Sequence, residues 1–168
     1  MPLLKDGKVT DDPWVQVADG DDLPGNRPAI ISLDRWLAER DSLKKRPGAL
    51  GIRLGNDQSP ILIKDDLDRF ALVALSFPKF SDGRAYSQAR LLKDRFDFAG
   101  ELRATGDVLR DQYRALHRCG FDSLDVSGEA AAVEAAWAEA LGEFRHAYQP
   151  ATRGPEPILR QRQKKKAA

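Results

Sequence analysis

The chain reads as an α/β protein built on a mainly parallel sheet, and three observations predict this. Residues 71–77, Ala-Leu-Val-Ala-Leu-Ser-Phe, form an apolar run without period-two alternation, as a strand in the middle of a sheet covered by helices on each side requires. Helix-start chemistry follows at once. Pro78 stops the run, and Ser81 and Asp82 are placed to cap a helix carrying Tyr86, Ala89, Leu92 and Phe96. The unit of strand, polar cap and amphipathic helix then recurs twice more. Such units return the chain to the same sheet edge in parallel, as part of a barrel or as an open doubly wound sheet, and both arrangements stay open.

In chain order, residues 1–13 are polar and read as a loosely held segment ahead of a single domain over 14–149. Residues 14–18 alternate as a short strand, and 19–28, rich in Asp, Gly and Pro, form a loop. Ala29-Ile30-Ile31 leads into a helix with Ser32 as N-cap and Leu33, Trp36, Leu37 and Leu43 on one face. Lys44, Lys45 and Arg46 complement its end before Pro47-Gly48. Residues 50–54 alternate as a strand, Gly55-Asn56-Asp57 turns, 60–63 make another short strand, and 65–70 fit a short helix. Beyond 71–77, a helix over 83–95 leads through Gly100 to strand 101–105. Gly106-Asp107 opens a helix that Gly120 terminates, 121–126 is the next strand, and Ser127 caps a helix over 129–148. Pro150 to Pro157 breaks the pattern, and 150–168 reads as a disordered basic tail.

Composition excludes several classes. A net charge of +1 over 168 residues gives no whole-domain field for nucleic acid or an anionic membrane. The apolar runs are too short to span a bilayer, and Asp6, Asp11 and Asp12 interrupt any export signal. The single cysteine, Cys119, excludes an internal disulfide and fits a reducing cytoplasm.

The topology sends three loops to one edge, carrying Lys79, Ser81, Asp82 and Arg84, then Thr105, Gly106 and Asp107, then Asp125 and Ser127. With Arg103 and Arg110 nearby, the anion-binding candidates are Lys79, Arg84, Arg103 and Arg110, since cations beside helix amino termini favour a small oxyanion. Candidate acid–base groups are Asp82, Asp107 and Asp111, the last two one helical turn apart. The competing reading makes Asp82, Asp107 and Ser127 helix caps, each stabilising by about 1 kcal/mol, and pairs the arginines with neighbouring carboxylates. Dinucleotide and phosphate-loop glycine signatures are missing. His117 and His146 have no Cys or carboxylate at metal spacing, and His117 and Cys119 point apart on a helix, so no metal, cofactor or activated thiol is indicated.

Three blocks carry a resemblance: Phe77-Pro78-Lys79-Phe80-Ser81-Asp82-Gly83-Arg84-Ala85-Tyr86-Ser87, then the run from Gly100-Glu101-Leu102-Arg103 to Asp111-Gln112, then Arg118-Cys119-Gly120-Phe121-Asp122. In these the chain resembles a bacterial family of uncharacterised proteins, a domain of unknown function labelled as oxidoreductases involved in sulfite reduction and encoded beside the assimilatory sulfite reductase hemoprotein. The resemblance implies a cytoplasmic role in reducing sulfite to sulfide, and it carries over no catalytic residue. Sulfite reduction takes six electrons, and no place for siroheme, flavin, nicotinamide or an iron–sulfur cluster is evident in this chain. The expectation is therefore an accessory or binding subunit that holds an oxyanion such as sulfite. The alternatives are a cofactor-independent acid–base enzyme acting on a small carboxylate or phosphate through Lys79, Asp82 and Asp107, and an interaction module docking on the hemoprotein.

Overall fold

Leu50, Ile52 and Leu54 face one way along their strand and Gly51 and Arg53 the other, and this two-sidedness organises the sheet. The computed structural model describes residues 3–143, 147 and 149–167. Among them, eight strands form one sheet: β1 (Leu3–Lys5), β2 (Lys8–Thr10), β3 (Val15–Gln16), β4 (Ala29–Ser32), β5 (Leu50–Leu54), β6 (Phe70–Phe77), β7 (Glu101–Gly106) and β8 (Ser123–Asp125). Their spatial order is β2-β1-β8-β7-β6-β5-β4-β3. Every pair from β3 to β8 is parallel, while β1 runs antiparallel to both β8 and β2.

From β3 to β8 the spatial order follows the chain without reversal. A doubly wound sheet reverses direction at its switch point, so this sheet is singly wound, and it is the half-barrel of the two arrangements. Single winding puts the crossovers on one face, so β6 is not covered by helices on each side as its apolar run suggested; Trp14 lies against its other face. On the crossover face α1 (Leu33–Lys44), a 3-10 helix (Pro60–Arg69), α2 (Arg84–Arg90), α3 (Tyr113–Arg118) and α4 (Ala130–Gly142) cover the main core. Trp36 packs edge-on to Phe70, and Phe77 lies between Tyr86 and Phe121. The opposite, concave face carries a smaller apolar group of Ile30, Leu72 and Ala74, closed by Trp14.

Several local readings are corrected. Residues 3–10 are not loose, because Asp6 and Gly7, both at positive φ, make a two-residue hairpin that adds β1 to the edge of β8. Ala29–Ser32 is a full strand rather than a lead-in, with Ser32 also capping α1 through the Arg35 N–H. Residues 60–63 are helical: Ser59 caps, Pro60 occupies the first turn, and buried Pro60, Ile63 and Asp66 repeat with the threefold period of a 3-10 helix. After β7 the chain does not become helical at Asp107 but waits for Arg110. Glu129, not Ser127, caps α4 by accepting from the N–H groups of Ala131 and Ala132. His146 and the aromatics Phe144 and Tyr148 lie outside the described residues. The basic tail is helical rather than disordered, as α5 (Ile158–Ala167), since Arg, Gln, Lys and Leu are good helix formers and Glu156 pairs with Lys164.

The cations at the end of α1 act partly as expected. Lys44 pairs at 2.7 Å with the buried Asp66, while Arg46 donates to the carbonyls of Gly25 and Arg27. The terminal carbonyl of Leu43 is met by Arg69, at 3.2 Å. No helix among the described residues is long and apolar enough to cross a membrane.

Candidate functional site at the carboxyl rim

Parallel strands end together, so the connections after β5, β6 and β7 share a rim, and hydrogen bonds lock them side by side. Gln88 on α2 donates to the carbonyls of Gly55 and Gln58, at 2.7 and 2.6 Å. Asn56 donates to Asp82 Oδ2 at 2.5 Å, joining the first connection to the second. Asp107 Oδ2 accepts the Phe80 N–H at 2.9 Å, and Gln112 donates to the Phe80 carbonyl at 2.9 Å, joining the second to the third. A cavity of about 290 Å³ opens between the first connection and α2, lined by Asn56, Ser59, Arg84, Ser87, Gln88 and Leu91.

Lys79, Asp82, Arg84 and Asp107 thus share one rim. Arg103 does not join them, and the Arg110 side chain turns away from them. Arg84 sends Nε and Nη2 to the two oxygens of Asp82, at 3.0 and 2.7 Å, and its N–H also bonds Asp82. These bonds hold the Asp82 carboxyl well below the usual carboxylate range. Arg110 reaches away to Glu139 on α4 at 2.6 Å. Asp107 spends one oxygen on the loop before it rather than on a helix of its own, and it shares no helix face with Asp111, which lies in the turn Arg110–Gln112. Lys79 forms no ion pair among the described residues.

Arg103 belongs to the concave face. It is 1% exposed and forks onto Asp12, Nη1 to Oδ2 at 2.7 Å and Nη2 to Oδ1 at 3.1 Å, while Nη2 also meets Glu101 at 3.0 Å. Burial works against its charge, but the bonds and fields of Asp12 and Glu101 outweigh burial and raise its pKa. Ser123 and Lys5 complete the network through Glu101. No local signal ties Asp12 to Arg103, which stands 91 positions away. His117 and Cys119 form no activated pair, since burial lowers the imidazole pKa and raises that of the thiol.

Asp125 closes the row on the same face. Burial pushes its carboxyl above the usual aspartate range, against the pull of Arg103 and with the push of Asp12 and Glu101. A carboxyl whose native pKa exceeds its unfolded one binds more protons when folded. Its charge therefore opposes folding at neutral pH, and the penalty fades as pH falls toward the unfolded value of about 4. Asp125→Asn is expected to raise the thermal midpoint near neutral pH, with the gain vanishing by about pH 4. A lowered midpoint at neutral pH, or a gain independent of pH, contradicts this.

A singly wound α/β half-barrel with interlocked polar loops on one rim is the class of protein that these features define. The chain belongs to the DUF934 family, described as a bacterial protein of unknown function, whose profile matches residues 51–159. The match runs from β5 into α5, leaving the hairpin, Asp12 and α1 outside it. A search of curated proteins found no match to the chain.

Proposed function

We propose that this protein is a cytoplasmic accessory subunit of assimilatory sulfite reduction, acting by docking its carboxyl rim on the sulfite reductase hemoprotein. The pathway rests on the family resemblance carried by the Phe77–Ser87, Gly100–Gln112 and Arg118–Asp122 blocks. Docking rests on one observation: successive rim connections display large apolar side chains to solvent. Phe80, after β6, is 55% exposed and Leu109, after β7, 41%, while Ile61 and Leu62 stand exposed after β5. Phe80 and Leu109 are held by the same bonded frame, with Gln112 meeting the Phe80 carbonyl and the Leu109 N–H. Rigid exposed apolar groups ringed by charge are the makings of an interaction surface. The acid–base alternative draws less support, because Asp82 and Asp107 are both engaged in holding loops.

Purified hemoprotein and purified chain, mixed and followed by biolayer interferometry, test this reading. Phe80→Asp and Leu109→Asp are each expected to weaken binding by about 2 kcal/mol, roughly thirtyfold, with no change in thermal midpoint. Absence of binding by the wild-type chain, or equal binding by the variants, rejects the docking rim. A deletion strain that grows normally on sulfite as sulfur source rejects the pathway.

A further inference from the structure

Arg53 is a cation that sequence reasoning passed over, and its setting differs from that of Arg84, Arg103 and Arg110. It sits on β5 two residues after Gly51, whose Cα approaches Ile30, Trp14 and Leu72 so closely that a Cβ would lie 3.1–3.2 Å from them. Both residues therefore face the concave side. Register places Arg53 level with Ser32 on one flank and Ala74 on the other, and Ala74 level with Arg103. Beyond Ala74 the next residue on this face is Ser76, directly beside Thr105. A diagonal step of roughly 7–8 Å separates such positions on neighbouring strands, within reach of an arginine.

The trough is half filled. Trp14 covers its amino-terminal half over Ile30, Leu72 and Ala74, and Asp12 occupies the fork of Arg103. Arg53 remains exposed and makes no ion pair or hydrogen bond among the described residues, and the Ser76 hydroxyl likewise has no partner among them. Asp19, which reaches Ser32 beside Arg53, is bonded to the Ser32 hydroxyl at 2.6 Å and leaves the guanidinium free. Thr105 directs its hydroxyl to the Leu75 carbonyl at 3.4 Å, so it flanks the position rather than competing for it. Side chains facing inward near the carboxyl ends of barrel strands are the ones that meet ligands, and a guanidinium offers paired donors to an oxyanion.

We propose that Arg53, with the Ser76 hydroxyl as second donor, binds a small oxyanion in the carboxyl half of the concave trough. This site lies on the sheet rather than on the rim, and it stands whether or not the rim docks on a partner. Calorimetric titration of the full chain with inorganic phosphate, with sulfate and with acetate tests it. The expected result is saturable binding of phosphate or sulfate, weakened about tenfold or more in Arg53→Ala and several-fold in Ser76→Ala. Arg53→Lys is expected to fall between, keeping the charge and losing the fork. Arg84→Ala should bind as the wild type does, because the Arg84 guanidinium is spent on Asp82. Arg53 has no bonds to lose, so its variants keep the wild-type thermal midpoint. No saturable heat up to about 10 mM of any probe, binding of acetate alone, or equal affinity in Arg53→Ala would overturn the assignment.

Discussion

Arg103→Ala is expected to cost about 3–5 kcal/mol of folding stability, lowering the thermal midpoint by roughly 6–20 °C. The loss arises less from the missing attraction than from what is left behind. Glu101 sits half-buried, and burial alone would raise its pKa; Lys5, Ser123 and Arg103 together reverse that and keep it ionised. Without the guanidinium, Glu101 and Asp12 face each other's charge beside a cavity. The Asp12 side chain is 26% exposed, so water screens it partly, and Asp12→Ala is expected to cost clearly less. Arg103→Lys should lie between the two, since a point charge cannot satisfy both carboxylates in the fork geometry. Urea unfolding of the three variants gives the order, and an Arg103→Ala loss below about 1 kcal/mol would show that the network contributes little. Freed from Arg103, the segment over 11–14 loses the Asp12 fork that holds it in the trough, so faster proteolysis near Asp12 is expected alongside the stability loss.

Gly106→Ala is expected to destabilise by about 3 kcal/mol, through strained backbone and steric overlap acting together. Gly106 sits at φ +96, and a Cβ there would fall 2.4 Å from the Phe77 carbonyl oxygen. That oxygen also accepts the Asp107 N–H at 2.8 Å, so neither strand end can move away freely. Shifting Gly106 also shifts Asp107, which holds the Phe80 N–H, so the rim should loosen with the fold. The variant therefore tests two things: a lowered midpoint in thermal unfolding, and weaker hemoprotein binding measured at a temperature where the variant is still folded. A substitution tolerated within about 0.5 kcal/mol would mean the β6–β7 approach is softer than the geometry indicates.

Much of the local structure was legible because it is written in short-range chemistry. The apolar run became the central strand Phe70–Phe77, and Gly120, expected as a helix terminator, sits at φ +94 just after α3. Two further signals were present but easily missed. Asp6-Gly7 is a hairpin dipeptide, overlooked because its strands are only three residues long. Ser59-Pro60 is a helix start, overlooked because Ile61, Leu62 and Ile63 resemble a strand. The sequence placed the connections carrying Lys79, Asp82, Arg84 and Asp107 at neighbouring strand ends, since strand ends and their loops are set by local pattern. It misassigned Arg103 to the rim, expected the Arg110 guanidinium there although it pairs with Glu139, and passed over Arg53.

The amino-acid sequence alone determined the central strands and most of the helices that follow them, that the sheet is mainly parallel, and which connections carry polar groups. Periodicity, caps and turn residues act over a few positions, so they are readable without coordinates. Only the tertiary structure decided that the sheet winds in one sense into a half-barrel, and that β1 joins its edge. It alone decided which cations are spent on carboxylates and that Arg53, among the described residues, is spent on none. Those outcomes depend on pairings between residues far apart in the chain, such as Asp12 with Arg103 and Arg110 with Glu139, whose energies come from shared burial and geometry rather than from any local preference.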